Sequence, residues 1–253
     1  MGRQPKLDVV LISRGGSVNA AHRLALLLLE YTDDLSFIVP DRCESAAVVL
    51  CMAGQEIIAG PATIFTPVDP SLHGAEQHGP SPKAVSAEDI RLFPEVIKDW
   101  FGIDADAAED QALEILCENI FPTTLSSFYR SIAECRLVCH ALLSSHMGKD
   151  SDDDISKIYE PLLYPRLPHS FALTDNNLKS YGFPIHRDSE IETPAWEIAN
   201  ILRNKVGGAS INAKEGSRVD VFLATSELAR IRFRNPDNPS GVWTDPETVY
   251  NPA

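Results

Sequence analysis

Two short stretches hold residues whose types and spacing suit acyl chemistry. Gly15-Gly16 lies where the apolar run Leu7 to Ile12 gives way to a helical pattern, and Ser45 lies at a second strand-to-helix junction about 30 residues on. Glycines at such a turn allow unusual backbone angles and leave amide N–H groups uncovered, which is how an oxyanion hole or a phosphate cradle is built. Ser45 opens a buried helix of small residues, so its hydroxyl is presented at the helix's positive end. The next amide, that of Ala46, then faces the same oxyanion as the Gly15 and Gly16 amides. Ala46 and Ala47 are small enough to let a substrate chain approach. Taken singly, a Gly-Gly pair marks a tight turn and a serine before a helix is an N-cap; the combination is what points to a nucleophile.

The elements that must position these residues can be read from hydrophobic periodicity. Leu7 to Ile12 predicts a buried strand, and Ser17 caps a helix on which Ala21, Leu24, Ala25, Leu28 and Leu29 recur at helical spacing. Leu35 to Val39 predicts a strand closed by Pro40, Ser45 to Ala53 a helix buried on all sides, and Glu56 to Ala59 and Thr63 to Phe65 two more strands. This order predicts an α/β fold of parallel strands joined by right-handed crossovers. Leu72 to Ser86, rich in Gly, Pro and His, reads as a surface loop. Helical patterns then run from Ser86 to about His146, and a helix around Ile155 to Leu163 follows. Strand-like Ser170 to Leu173 and a helix over Asn176 to Tyr181 come next. The last part of the chain carries one strand-like run, Val219 to Leu223, and a Pro/Asn-rich tail from Asn235. The expected organisation is 1–85 first part of the α/β core, 86–150 helical insertion, 151–200 return to the core and 201–253 C-terminal extension.

Composition narrows the function classes. The 253 residues carry 22 Lys and Arg against 36 Asp and Glu, a formal net charge of −14, which argues against nucleic-acid and anionic-membrane partners. Apolar runs such as Leu24 to Leu29 fall short of the roughly 18 residues a membrane span needs, and the polar Met1 to Lys6 predicts no secretory signal. Five scattered cysteines without CxxC pairs predict a reducing, cytoplasmic compartment.

The chain resembles the Clp-protease-like (crotonase-fold) serine peptidases, and within them the serine dehydrogenase proteinases. The resemblance rests on Leu11-Ile12-Ser13-Arg14-Gly15-Gly16-Ser17 with Ala20-Ala21, on Ile38-Val39-Pro40 leading into Glu44-Ser45-Ala46, and on Gly60-Pro61 with Thr66-Pro67-Val68-Asp69-Pro70. It continues in Pro168-His169-Ser170-Phe171-Ala172-Leu173 and Tyr181-Gly182-Phe183. It covers about Leu7 to Ile185 and leaves the final 60 or so residues outside. What it implies is a Clp/crotonase-like fold with a helical insertion and an ATP-independent serine peptidase without a cofactor. It also implies a protein or peptide substrate and a homo-oligomer, since relatives assemble into rings or trimer-based assemblies. Ser45 would attack the carbonyl, with Gly15 or Gly16 and Ala46 as oxyanion donors.

For the base, Clp peptidases place a His about 25 residues past the serine, near Pro67 here, where none stands. Relatives with a Lys base direct attention to Lys98, which lies on a solvated helix face. His169, in the segment where the family pattern carries a His, is the better candidate, Asp69 either orients it or caps its own turn, and His73 is a third choice. Family members carry Lys-Ser-Ala-Gly where this chain has Glu44-Ser45-Ala46-Ala47, and the family's first strand is expected to be either missing or supplied by a partner. Two alternatives follow: a catalytically silent scaffold on the same fold, and an acyl-CoA enzyme, which would call for a basic pocket that the acidic chain does not suggest.

The remaining clusters favour structural roles. Cys135, Cys139 and His140 share a helix whose apolar face the cysteines continue, Asp152-Asp153-Asp154 lacks the spaced ligands of a calcium loop, and His73 and His78 have no third ligand nearby. No metal site is expected.

Overall fold

β-branched and apolar residues at Leu7–Val10 (β1), Leu35–Val39 (β2) and Glu56–Ala59 (β4) form neighbouring parallel strands. Between them lie α1 (Val18–Tyr31), the two-residue β3 (Arg42–Cys43) and α2 (Ala46–Cys51). After β5 (Ile64–Phe65), β6 (Ser71–His73) and β7 (Ala84–Ser86) come α3 (Ala87–Phe101), α4 (Ala105–Asn119), α5 (Pro122–Ser144), α6 (Asp152–Leu163) and α7 (Asp175–Tyr181). The short β8 (Ile185–His186) then joins the first sheet, whose order is β1-β2-β4-β8, parallel throughout, with Val9, Phe37 and Ile57 in register. The structure, a computed structural model, describes residues 2–73, 84–147, 152–203, 218–225, 228–235 and 238–245. The chain divides into two compact units, Met1–Asp188 and Ser189–Ala253.

The first unit is a mixed α/β structure in which a parallel sheet and its helices share one core. Every residue of α2 is buried, and it packs in the same cluster as Phe37, Val39, Ile57, Cys139, Leu142, Leu143 and Leu162. Thus α5 and α6 belong to the main core, while α3 and α4 build a smaller one from Ile97, Ala108 and Ala112 with Phe93 and Ile103. A second, minor pairing matters more for chemistry: β3 runs parallel to β5, and Ser13 bridges Cys43 on the other side. It draws the loop after β1, the loop before α2 and the strand after β4 together.

Several expectations need correction. The ends of the expected Leu72–Ser86 loop pair as the antiparallel ladder β6–β7, because Ser71, Leu72 and His73 face Ser86, Val85 and Ala84; residues 74–83, including His78, lie outside the described residues. The expected strand at Ser170–Leu173 reduces to a single bridge between Leu173 and Phe65, since Pro168 to Phe171 closes a turn through a 2.8 Å bond from Phe171 N–H to Pro168 O. In the second unit, α8 (Ser189–Arg203) precedes β9 (Arg218–Ala224), β10 (Ala229–Asn235) and β11 (Asn238–Thr244), an antiparallel sheet in the order β11-β10-β9. The expected single strand is therefore one of three, with Ile231 fully buried, and β11 takes in part of the expected Pro/Asn-rich tail, of which residues 246–253 lie outside the described residues. No described helix is long and apolar enough to cross a membrane.

One core contact gives a pH signature. His146 Nε2 lies 2.9 Å from the Met52 carbonyl, and burial pushes the imidazole pKa below its usual 6.5 despite that bond. The unfolded chain then binds more protons here than the folded one, so stability present above about pH 6.5 is lost as pH falls towards the folded value. We expect Tm to drop between pH 7 and pH 5 by less in His146→Gln than in the wild type; equal drops would contradict the assignment.

Candidate functional site

Ser45 is the sole non-glycine residue with a positive φ among the described residues, at φ 52° and ψ −123°. These are the angles of the first central residue of a type II′ turn, a position dominated by glycine. Holding a serine there costs about 1–3 kcal/mol. Burial on the adjacent helix offsets it, since Val48, Val49 and Leu50 are buried and each such side chain contributes about 1.5–3 kcal/mol. Ser45 accordingly precedes α2 without capping it, as its side chain makes no cap hydrogen bond. Its amide donates instead to Thr66 Oγ1 at 2.9 Å, and Thr66 is itself buried just past β5. A serine on a sharp strand-to-helix turn, with its hydroxyl released from local bonding, is the arrangement that exposes a nucleophile.

Gly15 packs directly behind this turn. A Cβ added at Gly15, whose φ is 85°, would stand 2.4 Å from the Glu44 carbonyl, 2.9 Å from Ser45 Cβ and 3.1 Å from Ala46 N. The amides of the two glycines are engaged differently. The Gly15 N–H donates to Ser13 Oγ at 3.1 Å. The amides of Gly16 and Ala46 have no acceptor among the described residues. Gly16 has φ 148°, with nothing within 4 Å of an added Cβ.

A cavity of about 290 Å³ opens beside Ser45, and Gly16, Asp69 and His169 line it as well. The β5 segment organises this wall: Phe65 pairs with Leu173, which fixes the turn bearing His169, Thr66 holds Ser45, and Asp69 follows three residues later. Ser45, His169 and Asp69 share the cavity without hydrogen bonds to one another. Asp69 Oδ1 instead accepts the Glu88 amide at 3.5 Å, in the first turn of α3. One face of α5 also lines the cavity, where Ser131, Glu134 and Cys135 stand at i, i+3 and i+4. Burial, with the nearby Glu134 and Asp69 charges, pushes the Cys135 thiol up to about 12, which makes it a poor nucleophile at neutral pH.

Other candidates fall elsewhere. Lys98 is exposed on α3 and does not line the cavity, and His73 ends β6 opposite Ala84. The Glu44 carboxylate next to the serine pairs with Arg42 at 3.1 Å, which balances its charge. Cys135 and Cys139 are buried in the core, as their spacing implies, and His140 Nε2 lies 3.3 Å from Asp152 Oδ1. No group of three His, Cys, Asp or Glu among the described residues is placed to hold a metal. Thr66 enters the sequence reading only as part of the Thr66–Pro70 motif, and Ser131 and Glu134 escape it.

No family model and no solved structure matches the chain. It is similar to the uncharacterized protein MJ0137 of Methanocaldococcus jannaschii, with 24% identity over 200 residues, 79% of this chain and 59% of that protein. The chain thus spans about three fifths of that relative's length.

Proposed function

We propose that this chain is a serine peptidase on a Clp/crotonase-like fold, with Ser45 as nucleophile. The observation that carries the reading is the strained Ser45 turn, at φ 52°, packed against a glycine whose missing Cβ leaves room for Ser45 Cβ and the Ala46 amide. Strain of this kind persists at sites where the geometry serves function.

In the reaction, Ser45 Oγ adds to the substrate carbonyl carbon while its proton passes to the His169 imidazole, a group suited to this transfer near neutral pH. The Gly16 and Ala46 amides take the oxyanion. Collapse breaks the C–N bond, the proton moves from His169 to the leaving amine, and an acyl-serine ester remains. Water, deprotonated by His169, adds to that ester, and Ser45 regains its proton as the carboxylate product departs. Asp69 orients the imidazole as the cavity closes around substrate, since apo catalytic contacts are often long. The reading places the protein in the cytoplasm, as a homo-oligomer acting on peptides or unfolded proteins.

Its test is Ser45-dependent hydrolysis of an unfolded protein substrate together with covalent capture of Ser45. Loss of both in Ser45→Ala is the expected result. Oligomers that neither hydrolyse nor label, in wild type and variant alike, would favour the scaffold alternative instead.

A further inference from the structure

Helix α1 is apolar almost all the way round, yet little of it is covered. Its polar residues are Asn19, His22, Arg23 and Glu30, and of its 14 residues Ala21 and Ala25 are the buried ones. Val18, Leu28 and Leu29 pack against the core beside them. On the outward side Leu24, Leu26 and Leu27 are 43%, 48% and 48% exposed. A helix that is hydrophobic all round is normally enclosed, so this face lacks its cover. The charges on it identify the partner. Arg23 and Glu30 are seven residues apart, hence on one face, and both are exposed. Neither has an ion-pair partner among the described residues. Their midpoint falls between Leu26 and Leu27. If two α1 helices lie antiparallel about a two-fold axis at that midpoint, Leu26 of each meets Leu27 of the other and Arg23 of each meets Glu30 of the other. One register therefore covers the leucines and pairs both charges, whereas a parallel pair would set Arg23 against Arg23. A membrane surface fits less well, because an interfacial helix carries Lys and Arg along its polar face; α1 has one Arg, one Glu and one Asn there, in a chain of net charge −14.

We propose that the outward face of α1 is a self-association surface, on which a second copy of this chain packs through an isologous antiparallel contact centred between Leu26 and Leu27 and oriented by reciprocal Arg23–Glu30 pairs. This gives the homo-oligomer of the peptidase reading a surface, but it stands on α1 alone, and its test reads association instead of hydrolysis. Sedimentation velocity of the full-length protein across a roughly hundredfold dilution should show a reversible monomer–dimer equilibrium. Leu27→Asp buries a carboxylate among leucines twice per dimer and should weaken association about a hundredfold or more. Arg23→Glu sets carboxylates together at both ends and should weaken it about tenfold, as should Glu30→Arg with its guanidinium groups. The double exchange Arg23→Glu/Glu30→Arg should restore the wild-type affinity to within about threefold. Mixing the two single variants should yield the mixed dimer in preference to either parent. All three positions are exposed, so each variant should melt as the wild-type monomer does.

A wild type that stays monomeric at every concentration would overturn the proposal. Association that Leu27→Asp leaves untouched would overturn it by placing the contact elsewhere. A double exchange that fails to recover what the single exchanges lose would overturn the antiparallel register. Monomers that bind phosphatidylcholine vesicles through Leu27 would assign the face to lipid and overturn it as well. Ser45-dependent hydrolysis by a monomer would sustain the peptidase and defeat the α1 contact, whereas dimers that depend on α1 and neither hydrolyse nor label would sustain the contact and defeat the peptidase.

Discussion

Ser45→Gly is expected to stabilise the protein by about 1 kcal/mol while removing its chemistry. The serine is held at φ 52° and ψ −123° at a cost of about 1–3 kcal/mol, which glycine does not incur. Against this stands the larger backbone freedom of glycine in the unfolded chain, about 0.4–1 kcal/mol. No cap hydrogen bond is lost, because the serine side chain makes none. Ser45→Ala keeps a Cβ and therefore the strain, so its stability should match the wild type within about 0.5 kcal/mol. Urea unfolding followed by circular dichroism should rank Gly above Ala and Ala level with Ser. If Ser45→Ala loses about 1 kcal/mol and Ser45→Gly a few tenths, the serine is an ordinary N-cap and its turn is not strained.

Gly15→Ala should damage both fold and site. The new methyl would sit 2.4 Å from the Glu44 carbonyl, a backbone atom that cannot yield without moving the Ser45 turn, and an L-residue at φ 85° is itself unfavourable. A loss of about 2–3 kcal/mol follows. Reactivity at Ser45 should fall at least tenfold even where the variant remains folded, since the displaced atoms are the nucleophile's own backbone and the Ala46 amide. The neighbouring Gly16→Ala is the contrast: an added Cβ there meets nothing within 4 Å, so its effect comes from φ 148° alone. Equal stability losses at the two positions would show that packing against Ser45 is not what Gly15 provides.

Both predictions draw on a juxtaposition whose parts were legible before the structure. Gly15-Gly16 follows one buried strand, Ser45 opens the helix that follows the next, and parallel strands joined by short crossovers place such junctions together. What the sequence does not display is the third partner: Thr66 reaches Ser45 only because β5 lies beside β3, a pairing of two residues per strand that leaves no periodic signal. Glu134 is hidden for a similar reason, since its helix lies within the stretch 86–150 that reads as a separate excursion. The difference between the two glycine amides comes from one hydrogen bond, from Gly15 N–H to Ser13 Oγ, which no motif encodes.

The second unit shows two different failures of reading. In β10, Arg230, Arg232 and Arg234 alternate with Ala229, Ile231 and Phe233, a clean period of two that marks a strand with one buried face. In β11, Pro239 and Gly241 read as turn residues, yet the strand lies at the edge of its sheet, where a missing N–H is tolerated.

The measurement closest to the central claim is intact-mass analysis of the full-length protein after treatment with a fluorophosphonate, alongside Ser45→Ala. The account predicts a single adduct on the wild type, mapped to Ser45 and absent from the variant, with slower labelling in His169→Asn. A wild type that stays unlabelled under conditions that favour assembly, or an adduct that persists in Ser45→Ala, would contradict it.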